Sequence, residues 1–296
     1  MGSSATQGPD FICVGLPKAG TGWLFDQLQY HPDFWMPPLK ELHYLASEMP
    51  RMRHAAQRLK HWEKRRAKNT SRLLPAYIRP GDERDREFLT EVSTGGKQPM
   101  DLARYVSFYR FKGDLLSGDI SPGYCDLNEQ TIHQIATALP QTKIILLIRD
   151  PIARAWSRIS MAHRNDELDL SLLEDMDRFR SYLGAAPYIR QRSFASKTFE
   201  RWAQTAPAAQ LQWFFFDDIV GCPNEVRRNI LSYLGADPEK SSGELAASYN
   251  RKAENEKLPL SDRLREVLIN HFEDELCACA RIFGGHAKSW PERYGI

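Results

Sequence analysis

Cysteine is scarce in this chain, which has five cysteines among 296 residues. Cys277 and Cys279 lie one residue apart, and Cys13 lies within an apolar run. Disulfide frameworks and zinc sites need cysteines at characteristic separations, and this spacing fits neither. We therefore expect a protein of a reducing compartment, the cytoplasm, that uses no metal.

Long apolar runs are also absent. No stretch approaches the roughly 18 residues that predict a membrane span, and residues 1–9 lack the charged and apolar regions of a signal peptide. The formal net charge of +2 is too small for a protein that binds nucleic acid by bulk charge. The sequence thus predicts no membrane span and no nucleic-acid partner, with residues 1–9 as a flexible N-terminus or an expression remnant.

One phosphate-binding signature is present but incomplete. The apolar run 11–14 leads into residues 15–24, Gly-Leu-Pro-Lys-Ala-Gly-Thr-Gly-Trp-Leu, a pattern that predicts a strand, a glycine-rich loop and a helix. Such a loop directs backbone N–H groups and a helix N-terminus at one phosphate, and Lys18 adds a positive charge. The Lys-Ser/Thr pair with which NTPases hold magnesium does not follow Gly20. A metal-free phosphate-ester donor is therefore favoured.

A second basic residue follows a second apolar run. Residues 143–148 predict a buried strand, which ends in Arg149 and Asp150. The proline that follows suits the first turn of a helix, and Ser157 would lie about two turns along that helix, facing the same groove as Arg149. A guanidinium offers a fork of donors to an oxyanion. An ordinary ion pair between Arg149 and Asp150 is the alternative.

Predicted strands and helices alternate along most of the chain. The predicted strands are 11–15, 115–119, 143–148 and 210–216, and the predicted helices are 21–30, 99–110, 128–139, 151–163, 223–234 and 260–283. Residues around 81–96 read as irregular chain. The alternation predicts an α/β fold with a doubly wound, mainly parallel sheet that binds ligands beyond the carboxyl ends of its strands. The length favours one domain, residues 10–296, with a basic insertion at about 50–72.

The two phosphate segments resemble those of the sulfotransferases that use 3′-phosphoadenosine 5′-phosphosulfate (PAPS). The run from Lys18 to Leu24 resembles the family's 5′-phosphosulfate loop, and the run from Arg149 to Ser157 resembles its 3′-phosphate segment. The resemblance implies PAPS as the donor, 3′-phosphoadenosine 5′-phosphate (PAP) as the product and no metal. The residues that it assigns to the donor are Lys18, Ala19, Gly20, Thr21, Gly22, Trp23, Arg149 and Ser157. Trp23 would stack on adenine or pack in the core.

A third segment indicates the general base. Residues 38–45, Pro-Leu-Lys-Glu-Leu-His-Tyr-Leu, resemble a Lys-Glu-x-His segment of heparan sulfate sulfotransferases and of many bacterial relatives. The resemblance implies that Glu41 removes the proton of the acceptor hydroxyl, which is a poor nucleophile without such a base. His43 is the rival, since alternate residues of an extended chain face one side and the cytosolic branch uses a histidine base. Otherwise His43 orients Glu41 or the acceptor.

Two further segments resemble the family more loosely. Residues 118–124, Gly-Asp-Ile-Ser-Pro-Gly-Tyr, resemble the turn after its middle strand, and residues 249–252, Tyr-Asn-Arg-Lys, resemble a loop that closes over the 3′-phosphate. Arg251 and Lys252 would then bind the donor, although a solvated basic loop is the alternative reading. Ala253 stands where the cytosolic branch has glycine.

The resemblance is closest to the heparan sulfate sulfotransferases and the soluble bacterial branch. Gly22, Ala46 and Ile120 stand where the heparan sulfate enzymes have charged residues, so several contacts to a sulfated glycan would be missing. The basic segment 51–72 forms either one wall of a cleft for an acidic acceptor or a solvated face. Animal Golgi members begin with a membrane anchor, and we expect a cytoplasmic protein unless such an anchor precedes this sequence.

Together these motifs predict an enzyme that transfers a sulfuryl group from PAPS, in line, to the hydroxyl of a sugar or another alcohol. Glu41 would be the base, and Lys18 would stabilise the negative charge that develops on the leaving phosphate. Two alternatives remain. One is a divergent P-loop nucleotide kinase or NTPase, and the other is a polyanion-binding module that uses residues 51–72.

Overall fold

The computed structural model describes residues 8–46, 57, 59–60, 82–94, 100–207, 210–240, 245–249 and 257–296. In these residues one sheet contains the strands β1 (Phe11–Gly15), β2 (Gly118–Ile120), β3 (Lys143–Ile148) and β4 (Leu211–Phe215). The strands lie in the order β2-β1-β3-β4, and each neighbouring pair is parallel. The predicted α/β fold with a mainly parallel central sheet is confirmed.

Helices connect and flank the strands. They are α1 (Thr21–Gln29), α2 (Glu83–Thr94), α3 (Leu102–Ser107), α4 (Glu129–Ala138), α5 (Pro151–Arg164), α6 (Met176–Ala185), α7 (Pro187–Arg190), α8 (Ala195–Ala203), α9 (Phe216–Gly221), α10 (Pro223–Leu234), α11 (Asp262–Phe283) and α12 (Ser289–Arg293). Short 3-10 turns cover Tyr44–Ala46, Phe108–Lys112, Pro122–Asp126, Leu170–Leu173 and Gly285–Lys288.

The two central strands form the core. Every residue of β1 is buried, as is every residue of β3 after Lys143. Parallel strands that are covered on both faces are apolar along their whole length, which is why both strands are continuous apolar runs in the sequence. The register between them shifts between Cys13 and Gly15, a bulge at which β1 ends and the glycine-rich loop begins.

The strand order changes direction between β1 and β3. The chain runs from β1 to β2 on one side and later places β3 on the other side of β1. Open α/β sheets bind ligands at such a switch point, beyond the carboxyl ends of the strands. The two predicted phosphate segments follow β1 and β3, so the topology brings them side by side.

Residues 83–94 form a helix, where the sequence analysis expected irregular chain. The glycines that flank this stretch indicated loops, but α2 buries Phe88, Leu89 and Val92 at helical spacing. Its Asp85 also accepts a hydrogen bond from the indole N–H of Trp35 at 3.0 Å. Tertiary packing of one apolar face therefore outweighs the loop signals at its ends.

The helix expected at 99–110 is shorter. It covers Leu102–Ser107 and continues as the 3-10 turn Phe108–Lys112. The neighbouring strand β2 begins three residues later than predicted, because Leu116 pairs with Phe34 rather than with β1. The remaining predicted strands and helices, up to a difference of a few residues at their ends, have the expected type.

Several predictions concern residues outside the described ranges. They are Arg251, Lys252, residues 1–7 and nearly all of the basic segment 51–72. Among the helices that the structure describes, none combines the length and apolar character needed to cross a membrane.

Because β3 is central, truncating one of its buried side chains should destabilise the whole fold. Ile145 is 0% exposed and pairs with Cys13 on one side and Gln212 on the other. We expect Ile145→Ala to lower the free energy of unfolding by about 2–5 kcal/mol. Leu170→Ala, at a residue that is 42% exposed, should change it by no more than about 0.5 kcal/mol. Denaturant unfolding measures both, and equal effects would contradict the central position of β3.

Candidate active site

A cavity of about 840 Å³ lies beyond the carboxyl ends of β1 and β3. Every predicted site residue in the described ranges lines it except Ala19, which is fully buried. The predicted residues that line it are Lys18, Gly20, Thr21, Gly22, Trp23, Glu41, His43, Arg149 and Ser157. The fold thus brings segments that are far apart in sequence to one cavity.

The glycine-rich loop leads into α1 in a conformation that favours glycine. Gly20, the N-cap residue, has φ 102° and no side chain to accept the first helical N–H groups. Those N–H groups have no acceptor inside the helix, and Thr21 and Gly22 line the cavity. A Cβ at position 20 would lie 2.7 Å from Cδ1 of Ile219, so the end of that side chain would have to shift, and the positive φ would still be strained. The helix N-terminus can therefore bind an anion.

A hydrogen bond joins the two phosphate segments. Nη1 of Arg149 donates to the carbonyl oxygen of Lys18 at 2.9 Å, and the guanidinium lies 4.2 Å from the centroid of the Phe216 ring. Arg149 is 9% exposed, and this burial lowers its pKa. Nζ of Lys18 lies 3.4 Å from Sδ of Met161 on α5. Both cations consequently occupy defined positions at the cavity.

Asp150 is the N-cap of α5 and does not pair with Arg149. Its Oδ1 accepts hydrogen bonds from the backbone N–H groups of Ile152 and Ala153. Its Oδ2 accepts from the hydroxyl of Tyr294 at 2.7 Å and from Arg293 at 3.2 Å. The strand-end ion pair that the sequence left open is therefore wrong, since the C-terminal helix satisfies this carboxylate and leaves Arg149 at the cavity.

The carboxylate of Glu41 lies between two cationic or hydrogen-bonding groups. Oε2 lies 3.3 Å from Nε2 of His43, and Oε1 lies 3.2 Å from Nζ of Lys40. Burial alone would raise the pKa of Glu41, but the hydrogen bond from His43 and the charge of Lys40 outweigh it and lower the pKa to about 2. Glu41 is therefore ionised at neutral pH and can accept a proton.

The backbone around Glu41 and His43 is not extended. Their φ angles are 62° and 51°, in the left-handed region, so the argument that both face one side of an extended chain is wrong. The two side chains meet because the backbone turns at both residues. Lys18 has φ 72° as well. Non-glycine residues avoid this region, and such conformations concentrate at functional sites.

A buried carboxylate holds this turn in place. Asp119 is 1% exposed and accepts hydrogen bonds from the hydroxyls of Ser121 at 2.6 Å and Tyr124 at 2.7 Å. Ser121 in turn accepts the backbone N–H of His43 at 3.0 Å, and Tyr124 accepts that of Leu45 at 3.2 Å. Burial raises the pKa of Asp119, and the hydroxyl donors oppose that rise. The segment 118–124 thus supports the turn at His43 and Leu45, and its Pro122 and Gly123 also line the cavity.

Trp23 packs in the core and also lines the cavity. Its side chain is 5% exposed, and its indole N–H donates to the carbonyl of Ala247 at 2.7 Å. This bond anchors residues 245–249 to α1. The same segment leads towards Arg251 and Lys252, which lie outside the described residues.

The cavity also contains residues that the sequence analysis missed. They include Lys40, Arg158, Met161, Arg164, Glu167, Tyr188, Arg192, Phe216 and Lys257. The helical spacing of Ser157, Met161 and Arg164 on α5 was a signal that could have found part of this set. No sequence signal indicated Tyr188 or Arg192, because nothing was predicted between residues 164 and 209.

The described residues thus combine an anion-binding helix N-terminus, two cations and an ionised carboxylate in one cavity. Such a site can bind a phosphate ester and accept a proton. Among the described residues, no His, Cys, Asp and Glu side chains are grouped so that they could hold a metal ion. The arrangement fits a group-transfer enzyme.

A comparison with protein families matches residues 9–240 to the sulfotransferase family. The match covers most of the chain, and the chain belongs to this family of transferases. No curated protein sequence gives a significant match.

Solved structures of sulfotransferases share the fold. A sulfotransferase from Alicyclobacillus acidocaldarius has 21% sequence identity and a TM-score of 0.64, over 95% of this chain and 98% of that one. The sulfotransferase domain of the Synechococcus PCC 7002 olefin synthase has 18% identity and a TM-score of 0.53, over 98% of this chain and 96% of that one. At these identities the likeness shows the architecture.

The low pKa of Glu41 should depend on its two neighbours. In the double variant Lys40→Gln, His43→Gln we expect the pKa of Glu41 to rise from about 2 towards its ordinary value of 4.5, because the hydrogen bond of His43 and the charge of Lys40 no longer stabilise the carboxylate. A carbon-13 NMR titration of the Glu41 carboxyl measures this. Lys288→Gln, at an exposed residue outside the cavity, should leave the pKa unchanged. A pKa that stays near 2 in the double variant would show that other groups lower it.

Proposed function

We propose that this protein transfers the sulfuryl group of PAPS to an acceptor hydroxyl, with Lys18, Glu41 and His43 at the reacting centre. The observation that carries the proposal is the hydrogen bond from Arg149 to the carbonyl of Lys18 at the switch point of the sheet. It joins the two segments that resemble the family's donor-binding motifs. Residues 10–296 would act as one domain.

The described residues fit a donor with phosphates at both its 5′ and 3′ positions. The N-terminus of α1, with the backbone donors of Gly20, Thr21 and Gly22, would bind the 5′-phosphate. Arg149 and Ser157 line the same cavity on the β3 side and would bind the 3′-phosphate. A cavity of about 840 Å³ is large enough for a nucleotide and a small acceptor together. Trp23 would contact adenine with its exposed edge.

In the reaction the acceptor oxygen forms a bond to sulfur while the bond from sulfur to the 5′-phosphate oxygen breaks. The electron pair of the broken bond leaves with PAP, and the acceptor's proton passes to Glu41. Lys18 would stabilise the negative charge that develops on the leaving oxygen. Because this transfer needs little covalent chemistry from the protein, positioning and positive charge would provide most of the rate.

Glu41 would act as a stronger base with the donor bound than without it. A general base works best when its pKa lies near the pH of the reaction, and Lys40 is one of the groups that lower the pKa of Glu41. Lys40 also lines the cavity, so the anionic sulfuryl group of a bound donor would attract the Lys40 ammonium group away from Glu41. Weakening that contact raises the pKa of Glu41, while His43 keeps the carboxylate in position.

Donor binding is tested by thermal shift with PAP in the absence of metal. Saturation at about 100 times Kd should stabilise the protein by about 2.7 kcal/mol. Lys18→Met should weaken this shift, because it removes the charge but keeps a side chain of similar length at the same left-handed position. Lys288→Gln, an exposed lysine far from the loop in sequence, is the matched control and should bind PAP normally.

The same assay with ATP and magnesium distinguishes a protein that binds PAP from a nucleotide kinase, which binds ATP with magnesium. No shift with PAP, together with a shift that requires ATP and magnesium, would overturn the sulfotransferase mechanism. Binding of PAP that is unaffected by Lys18→Met would instead remove Lys18 from the donor site.

Glu41→Gln should lower turnover by roughly 100- to 10,000-fold, because an amide cannot accept the proton. The affinity for PAP should remain unchanged. Transfer from PAPS to a panel of sugars, phenols and aliphatic alcohols, followed by mass spectrometry, measures the effect. His43→Gln should have a smaller effect, and Glu129→Gln and His133→Gln, at exposed positions of α4, are matched controls. Near-normal turnover by Glu41→Gln with a large loss in His43→Gln would transfer the base role to His43.

A further inference from the structure

One wall of the cavity, formed by Arg158, Tyr188 and Arg192, has two positively charged side chains next to an aromatic ring. Arg158 and Arg192 line the cavity, and their guanidinium carbons lie 4.7 Å and 4.8 Å from the ring centroid of Tyr188. Tyr188 lines the same cavity and is 49% exposed. Two guanidinium groups on one ring repel each other. A bound anion would replace that repulsion with attraction.

A third arginine lies behind this wall. Arg154 is 1% exposed, and its Nη2 donates to the carbonyl of Tyr188 at 3.1 Å and to the hydroxyl of Ser193 at 2.7 Å. Burial, together with the charges of nearby arginines, lowers the pKa of Arg154 to about 9. Arg154 therefore holds the backbone of Tyr188 and adds to the positive potential of the wall.

The neighbouring carboxylates pair with only some of the N–H donors of Arg158 and Arg192. Glu167 accepts a hydrogen bond from Nη2 of Arg158 at 2.8 Å, and Asp126 accepts one from Nε of Arg192. Nη1 of Arg158 is buried and has no hydrogen-bond partner among the described residues. Buried donors are normally paired, because leaving one unpaired costs free energy. Two carboxylates oppose the three arginines Arg154, Arg158 and Arg192, so the wall keeps a net positive charge.

The wall lies beside the proposed base. A Cβ added at Gly123 would lie 3.0 Å from Nδ1 of His43 and 3.8 Å from Nη2 of Arg192. The imidazole and the guanidinium therefore approach the same glycine, in the 3-10 turn Pro122–Asp126. His43 is hydrogen-bonded to Glu41. An acceptor molecule whose hydroxyl contacts Glu41 can therefore place a second functional group against Arg192.

We propose that the acceptor carries an anionic group, a carboxylate, sulfate or phosphate, which Arg158 and Arg192 bind beside Tyr188 while the acceptor hydroxyl meets Glu41. This inference rests on the proposed function. Guanidinium groups bind oxyanions through charge-assisted, often paired hydrogen bonds. The same wall could take a phosphate of the donor, so the test separates acceptor binding from donor binding.

The test uses pairs of hydroxyl compounds that differ in one charge. They are 4-nitrophenyl β-glucuronide with 4-nitrophenyl β-glucoside, 3-hydroxybutyrate with 3-hydroxybutanamide, and 4-hydroxyphenylacetate with 4-hydroxyphenylacetamide. Binding of each compound to PAP-saturated protein is measured by calorimetry, and transfer from PAPS is measured by mass spectrometry. In at least one pair we expect the anionic compound to bind or react about 10- to 100-fold better than its neutral partner.

Arg158→Gln and Arg192→Gln should each reduce that preference by about tenfold or more. They should do so by weakening the binding of the anionic compound, while the binding of the neutral compound stays the same. The Kd for PAP should stay within about twofold. Arg192→Lys should restore part of the preference, because lysine keeps the positive charge but lacks the paired N–H donors of the guanidinium group. Arg190→Gln, an exposed arginine of α7 that does not line the cavity, is the matched control and should behave like the wild type.

The absence of any anionic preference in all three pairs, with PAP still bound, overturns the inference and leaves the proposed function intact. A preference that survives both arginine variants also overturns it. Loss of PAP binding in Arg158→Gln or Arg192→Gln would assign the wall to the donor instead. Failure of the wild type to bind PAP is the separate result that contradicts the proposed function.

Discussion

The hydrogen bond from the Arg149 guanidinium to the carbonyl of Lys18 connects the parts on which the site depends. It spans the switch point between β1 and β3, where the backbone leaves the sheet on adjacent strands. Asp150 accepts hydrogen bonds from the backbone of α5 and from Tyr294. Arg149 donates to a backbone carbonyl and lies over the Phe216 ring, while the charges of Asp150 and Asp217 also act on it. A buried cation held in this way strengthens its interaction with an anion, because little water screens it.

A second support lies on the other side of the cavity. Asp119, the middle residue of β2, accepts hydrogen bonds from hydroxyls that in turn accept the backbone N–H groups of His43 and Leu45. This network holds the backbone at His43, which, like Glu41 two residues before it, has a left-handed conformation that isolated residues avoid. The sheet therefore positions the two proposed donor-binding segments through β1 and β3, and the turn beside the proposed base through β2.

The net charge of +2 conceals a strong local asymmetry. The cavity is lined by several lysines and arginines, while Glu41 and Glu167 are the acidic residues among its described lining. A local field of this kind attracts anions without requiring a basic protein. The same asymmetry would let a chain with nearly balanced charge bind the strongly anionic donor proposed for it.

The strands β1 and β3, the glycine-rich loop and the start of α5 were predictable from residue order alone, because buried parallel strands and phosphate loops leave local signals in residue type and spacing. It also indicated Lys18, Arg149 and Glu41, whose roles stay proposals. Which side chains come into contact depends instead on how the folded chain packs. The bond from Arg149 to Lys18, the turn at Glu41 and the wall formed by Arg158, Tyr188 and Arg192 join residues distant in the chain. No local pattern encodes such contacts, since packing across the sheet and between helices creates them.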